Sequence, residues 1–169
     1  MGFEGDKYLD RFIDRSYVLP FPDLSVLVEK LYNETVYKEK DNLWFPDIGL
    51  IDGSRALKPA EWIARLLQFY SISPRRVFRY FDRLRTALAL IDHQAVPMNY
   101  LCELIALQMG ESSKESPSWR FYVPGRYGGK GVWYDGSSLF DKMTNVYTLP
   151  RKEMERSLQA DNHLTSLLW

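Results

Sequence analysis

Ser73-Pro74-Arg75-Arg76-Val77-Phe78-Arg79-Tyr80-Phe81-Asp82-Arg83-Leu84 is the stretch whose residue types and spacing come nearest to chemistry. A helix advances about 100° per residue, which puts Arg75, Arg76, Arg79 and Arg83 inside one arc of about 100°. Val77, Tyr80, Phe81, Leu84, Leu88 and Ile91 fall on the opposite side. A helix locked down by such an apolar face holds a guanidinium row steady. Beside a helix N-terminus that row suits phosphate, through bidentate N–H donors and the positive end of the dipole. From spacing alone the plain reading, a solvated charged face, stands slightly ahead. Further along, Arg126 and Lys130 sit in the Gly-rich run Gly125–Gly131, where they fit a contact to an anion or simply a soluble loop.

The row needs a scaffold, and the sequence supplies mostly helices. Tyr8, Leu9, Phe12 and Ile13 follow Asp6 at helical spacing and end before the extended Tyr17–Pro22, whose prolines forbid a helix. Asp23 is placed to cap a helix with Leu24, Leu27, Val28, Leu31 and Thr35 on one face. Asn42 to Arg55, with Pro46, Gly49 and Gly53, reads as a loop. Pro59 opens a helix with Ile63, Leu66, Leu67 and Tyr70 as its stripe. After the break at Ser71-Ile72-Ser73, Ser73 is the expected cap and Pro74 the first residue of a helix running to about Asp92.

Pro97 opens a helix to Gly110, where glycine is expected to supply a left-handed terminal residue. Apolar residues nearly encircle that helix, so it is expected at the centre. Glu111 to Ser118 is a polar linker. Trp119–Val123 and Val132–Tyr134 predict a hairpin, Asp141 to Val146 a short turn, and Pro150 the start of a terminal helix. The expected fold is mainly α: a lid-like bundle of about five to six helices with a small β-hairpin near 119–135. Residues 1–110 form the helical region, and 111–169 an aromatic hairpin with a C-terminal helix packed on it or beside it.

Composition excludes several functions. The chain has 169 residues, 46% hydrophobic and 26% charged, enough to bury a core covering about 70% of its unfolded surface. Its 22 basic and 22 acidic side chains cancel, so no whole-chain field draws it to nucleic acid or anionic lipid. Cys102 is the only cysteine and lies among Leu101, Leu104 and Ile105, which reads as a buried structural thiol in a reducing, cytoplasmic setting. The N-terminal residues do not read as a signal peptide, and no segment approaches the ~20 apolar residues of a membrane span. With only His93 and His163 beside one cysteine there is no zinc set, and no metal site is expected. No nucleophile elbow, paired-acid or Cys-His arrangement stands out.

Two segments carry a family resemblance. Asp6-Lys7-Tyr8-Leu9-Asp10-Arg11-Phe12-Ile13-Asp14, followed by Tyr17-Val18-Leu19-Pro20, resembles the "YLeKfI…LP" stretch of the KAP family of P-loop NTPases. Ser73–Tyr80 is similar to that family's "PRxIKRfxN" helix, with Asp82 standing where the family usually has Asn. The resemblance extends to about residue 110, and the aromatic hairpin has no counterpart in it. It implies the post-Walker B, sensor and lid portion of such an NTPase. Arg75 would then approach the γ-phosphate of a nucleotide held by a P-loop half, with Arg79 in support.

That half has no counterpart here: no G-x-x-x-x-G-K-[ST] occurs, and the Gly125–Gly131 run has the wrong spacing and no Ser or Thr after Lys130. ATP and Mg²⁺ are thus implied only for a complete domain, and this chain alone is expected to bind no cofactor. Its expected partner is the P-loop half or another NTPase subunit. Two other readings stay open. Residues 60–85 loosely match a helix-turn-helix, in which Arg75, Arg76, Arg79 and Arg83 would face DNA. Alternatively the chain is a stand-alone interaction domain that binds a protein through its aromatic hairpin and apolar C-terminus.

Overall fold

The computed structural model describes residues 23–36, 43–91, 96–111, 115–125, 129–161 and 163. The expected helix at Tyr8–Ile13, the extended run to Pro22, His93, Arg126 and the apolar end Leu164–Trp169 lie outside them. The described residues form six helices and five strands, a mainly α fold with a small antiparallel sheet.

Helix α1 (Ser25–Val36) begins where the Asp23 carboxylate accepts the Ser25 N–H at 2.9 Å, and it buries Val28, Leu31 and Thr35. Helix α2 (Pro59–Phe69) carries proline in its first turn and buries Trp62, Ile63, Ala64, Leu66 and Leu67. Helix α3 (Pro74–Leu90) buries Val77, Tyr80, Phe81, Leu84 and Leu88, the face expected from its periodicity. Helix α4 (Met98–Met109) follows Pro97 and is buried nearly all round. Helix α1 packs across both α2 and α3, and α4 closes the other side of α3. This leaves α3 exposed along one face only.

The sheet corrects the loop expected at Asn42–Arg55. Two strands lie there, β1 (Leu43–Trp44) and β2 (Asp47–Leu50). The first pairs in parallel with β3 (Val96–Pro97). The second joins the hairpin of β4 (Trp119–Val123) and β5 (Val132–Asp135), giving the antiparallel order β2-β4-β5. In this register Ile48 faces Phe121 and Leu50 faces Trp119 across the strands. The gain is burial: Ile48, Trp119 and Phe121 become core residues, and Trp62 meets Phe45, Trp119 and Phe121 edge-on at 5.5–6.5 Å.

A second correction lies at Asp141–Val146, which is helical within α5 (Ser138–Tyr147). Leu139, Phe140, Met143 and Val146 give it one buried face, and Tyr100 of α4 lies against Phe140 and Tyr147. Helix α6 (Arg151–Ala160) follows Pro150 and buries no side chain fully. One apolar cluster runs from Leu24 to Val146, so residues on both sides of position 110 share a core.

The third correction concerns Gly110, which is extended rather than left-handed (φ −126°, ψ −176°). Glycine stands there for space. A Cβ would fall 2.0 Å from the Tyr70 carbonyl oxygen, which accepts the neighbouring Glu111 N–H at 3.1 Å. Ser73 does occupy the cap position of α3, but its hydroxyl makes no capping hydrogen bond.

Candidate functional site

The site is built from the turn that launches α3. Ser71 takes the left-handed conformation (φ 52°) that L-residues disfavour, and it lets the Ser71 and Ile72 N–H groups reach back to the Gln68 and Leu67 carbonyls at 2.9 and 2.8 Å. This paired return terminates α2 and buries Ile72 beneath the turn. Pro74 then starts α3 with its φ already set. The Tyr70 hydroxyl, one residue before the strained serine, donates to Glu103 of α4 at 3.4 Å. Farther along, the buried Tyr80 hydroxyl donates to the Cys102 carbonyl at 3.1 Å. The helix is therefore fixed at its origin and its middle.

On its outer face the four arginines stand together. Arg75, Arg76, Arg79 and Arg83 are all exposed, and none forms an ion pair among the described residues. Other arginines of the molecule do find partners: Arg55 and Arg65 share Glu61, Arg85 meets Asp82 at 3.8 Å, and Arg151 meets Glu155 at 3.2 Å. The charge pattern also runs against helix stability. Helices α2 and α5 carry Glu61 and Asp141 in their first turns, where the dipole favours acids, whereas α3 carries Arg75 and Arg76 and no acid there. An anion supplied from outside would satisfy both the row and the helix end.

The surroundings of the row are mixed. Phe78 is 52% exposed beside it and Leu90 80% exposed at its far end. Arg83 lines a groove of about 510 Å³ with Thr86, Leu90, Ile105 and Gln108, where α3 meets α4. Apolar groups left bare next to a charged row suit a protein surface that carries the anion more than a free ion. Lys130 is exposed and belongs to the hairpin, whose strands pack on α2 through Trp119 and Phe121. It is carried by a different element from the arginine row.

Cys102 is buried, and burial pushes its thiol up to about 12, which suits a structural role and not a nucleophile. Sequence reasoning missed Glu103. It lies fully buried on α4, and among the described residues its Oε2 has no hydrogen-bond partner; Asn99 one turn earlier likewise buries an Oδ1 without a partner there. Burial pushes the Glu103 carboxyl up to about 8, against the Tyr70 hydrogen bond, and the nearby charge of Asp141 adds to the rise. The signal was present: a single acid in a helix that apolar residues nearly encircle. Among the described residues no three His, Cys, Asp or Glu side chains gather as a metal site, and no helix is long and apolar enough to cross a membrane. Compared with protein-family profiles, curated proteins and solved structures, the chain matches none.

Proposed function

We propose that this chain is the helical lid and sensor region of a KAP-type P-loop NTPase, working in the cytoplasm on a nucleotide held by polypeptide outside this sequence. The arginine row, without an ion pair among the described residues and at the start of a rigidly anchored helix, carries the reading. Arg75, in the first turn of α3, would approach the γ-phosphate, with Arg79 one turn behind it. Arg76 and Arg83 flank them, and Phe78 and Leu90 would pack on the P-loop half. A guanidinium held by the scaffold stabilises charge that develops in phosphoryl transfer without reorganising at the moment of reaction. ATP and Mg²⁺ belong to the complete assembly, and the chain alone has no activity in this account.

The test has two parts. Titration calorimetry with MgATP and this chain alone should show no binding, and micromolar affinity would overturn the reading. Joined to the P-loop polypeptide encoded upstream or beside it, the assembly should hydrolyse ATP, and Arg75→Ala should lower kcat by about 10²–10³. Unchanged turnover in that variant would also overturn it.

A helix-turn-helix remains the second reading because one observation favours it. Four residues separate α2 from α3, and left-handed Ser71 occupies the kind of position that usually needs glycine. The measurement that separates the two is a duplex DNA gel shift at rising salt. A salt-steep shift lost on Arg76→Ala supports DNA binding, and the lid reading predicts none.

A further inference from the structure

The outer face of the β2-β4-β5 sheet carries side chains that the lid reading leaves unused, and their role is independent of it. Alternation along β4 sends Trp119, Phe121 and Val123 inward, and Tyr134 is the inward residue of β5. Arg120, Tyr122 and Trp133 therefore share the outer face. Tyr122 and Trp133 are cross-strand partners, and their ring centroids lie 5.2 Å apart with planes inclined at 50°. Two rings so inclined form an open notch, not a closed stack.

Glycines seat both rings against the sheet. A Cβ on Gly131 would fall 2.3 Å from the Tyr122 phenol, so glycine seats that ring. Trp133 reaches across the sheet to lie over Gly49, 3.4 Å from where a Cβ would stand, and the Arg120 guanidinium covers it at 4.4 Å from the ring centroid. Next to the pair is a pocket of about 500 Å³ lined by Phe45, Pro46, Asp47 and Pro59 as well as the two rings. Neither the Trp133 indole N–H nor the Tyr122 hydroxyl has a partner among the described residues, and the exposed Asp47 carboxylate forms no ion pair there.

We infer that this notch docks an extended, proline-containing peptide segment of a partner protein that bears Lys or Arg next to the proline. Proline rings pack on exposed aromatic faces such as that of Trp133, and an extended polyproline-type backbone has all its carbonyls free to accept from the indole N–H and the phenol. Such a segment is already stiff, so little entropy is lost on binding. The pocket volume is several times that of one side chain and suits a run of residues. Asp47 supplies the complement to a cation. Nucleic acid, which would also stack on exposed rings, is disfavoured because two acids, Asp47 and the exposed Asp135 of β5, share this face with the rings, and its one arginine, Arg120, already lies on Trp133.

Fluorescence anisotropy with a fluorescein-labelled Gly-Pro-Pro-Arg-Pro-Pro-Gly probe tests this directly. Saturable binding is expected, weakened at least about tenfold by Trp133→Ala. Asp47→Asn should weaken it several-fold, and changing the probe's Arg to Gln should remove that difference. Tyr122→Phe keeps the ring and loses only the donor, so it reads the hydrogen bond if Trp133→Ala fails to fold by circular dichroism. Absence of saturable binding, equal binding of an all-alanine probe, or equal affinity in folded Trp133→Ala and Asp47→Asn would overturn the inference. Tighter binding of labelled oligothymidine at the same rings would overturn it in favour of base stacking.

Discussion

Helices α3 and α4 pack against each other yet handle charge in opposite ways. Helix α3 exposes its arginines on one face and buries Tyr80, Phe81 and Leu84 on the other. Helix α4 has apolar residues on nearly every side and places Glu103 in the interior. On α3 the buried and the charged residues are separate sets, so either can change without the other. On α4 a single buried acid couples local charge to global stability. The difference shows that an exposed charge is set by helical period, while a buried one is set by what the rest of the fold brings to it.

The largest effect expected from this contrast is on α3 itself. Leu84→Ala removes a fully buried side chain and should destabilise the chain by about 2–5 kcal/mol in urea unfolding. Arg79→Ala, on the exposed face, should change stability by less than about 0.5 kcal/mol. If both cost the same, the two faces are not independent and the division fails.

The pH dependence of α4 comes next. In the folded chain Glu103 titrates near 8, raised from 4.5 by burial first, and the unfolded carboxyl near 4.5. Between those values the unfolded state binds fewer protons than the folded state, so stability falls as pH rises through the window from about 4.5 to about 8. Glu103→Gln removes this slope. At pH 9 the variant should be more stable than the parent by roughly a few kcal/mol, and at pH 4.5 the two should nearly coincide. Urea midpoints across that range decide it. An unchanged slope in the variant would mean that Glu103 is solvated and that α4 resembles α3 after all.

The same contrast explains what could be read from the sequence. The arginine row was legible because Pro74 and the spacing of Val77, Tyr80, Phe81 and Leu84 fix both the helix and its rotation. The hairpin was legible from its alternating aromatic strands. Strand β2 was not, since Pro46 and Gly49 look like loop residues and its partner β4 begins far along the chain at Trp119. Gly110 was recognised as the end of α4, but its reason, contact with the Tyr70 carbonyl, is tertiary. Helix α5 has the right periodicity over only ten residues, too few to outweigh Gly136 and Ser137 before it. Glu103 needed the positions of Tyr70 and Asp141, which no local pattern supplies.

Smaller effects are expected at the turn that launches α3. Ser71→Gly relieves a left-handed serine and should stabilise the chain by about 1 kcal/mol, or roughly 2–4 °C in Tm. No gain in Tm would mean that the turn already accommodates the serine without strain.

The smallest effect on stability separates function from fold most cleanly. Arg75→Glu replaces a cation with an anion in the first turn of α3, where the helix dipole favours negative charge, so it should raise stability by about 0.3–1 kcal/mol at low ionic strength. Added salt should erase the gain, because the site is exposed and screened. Under the lid proposal the same substitution reverses the charge offered to phosphate. A variant that is more stable would show that the chain keeps an arginine where folding alone prefers an acid. A variant that is less stable would mean that Arg75 already has a partner within the fold, and the outward-facing row would lose its leading member.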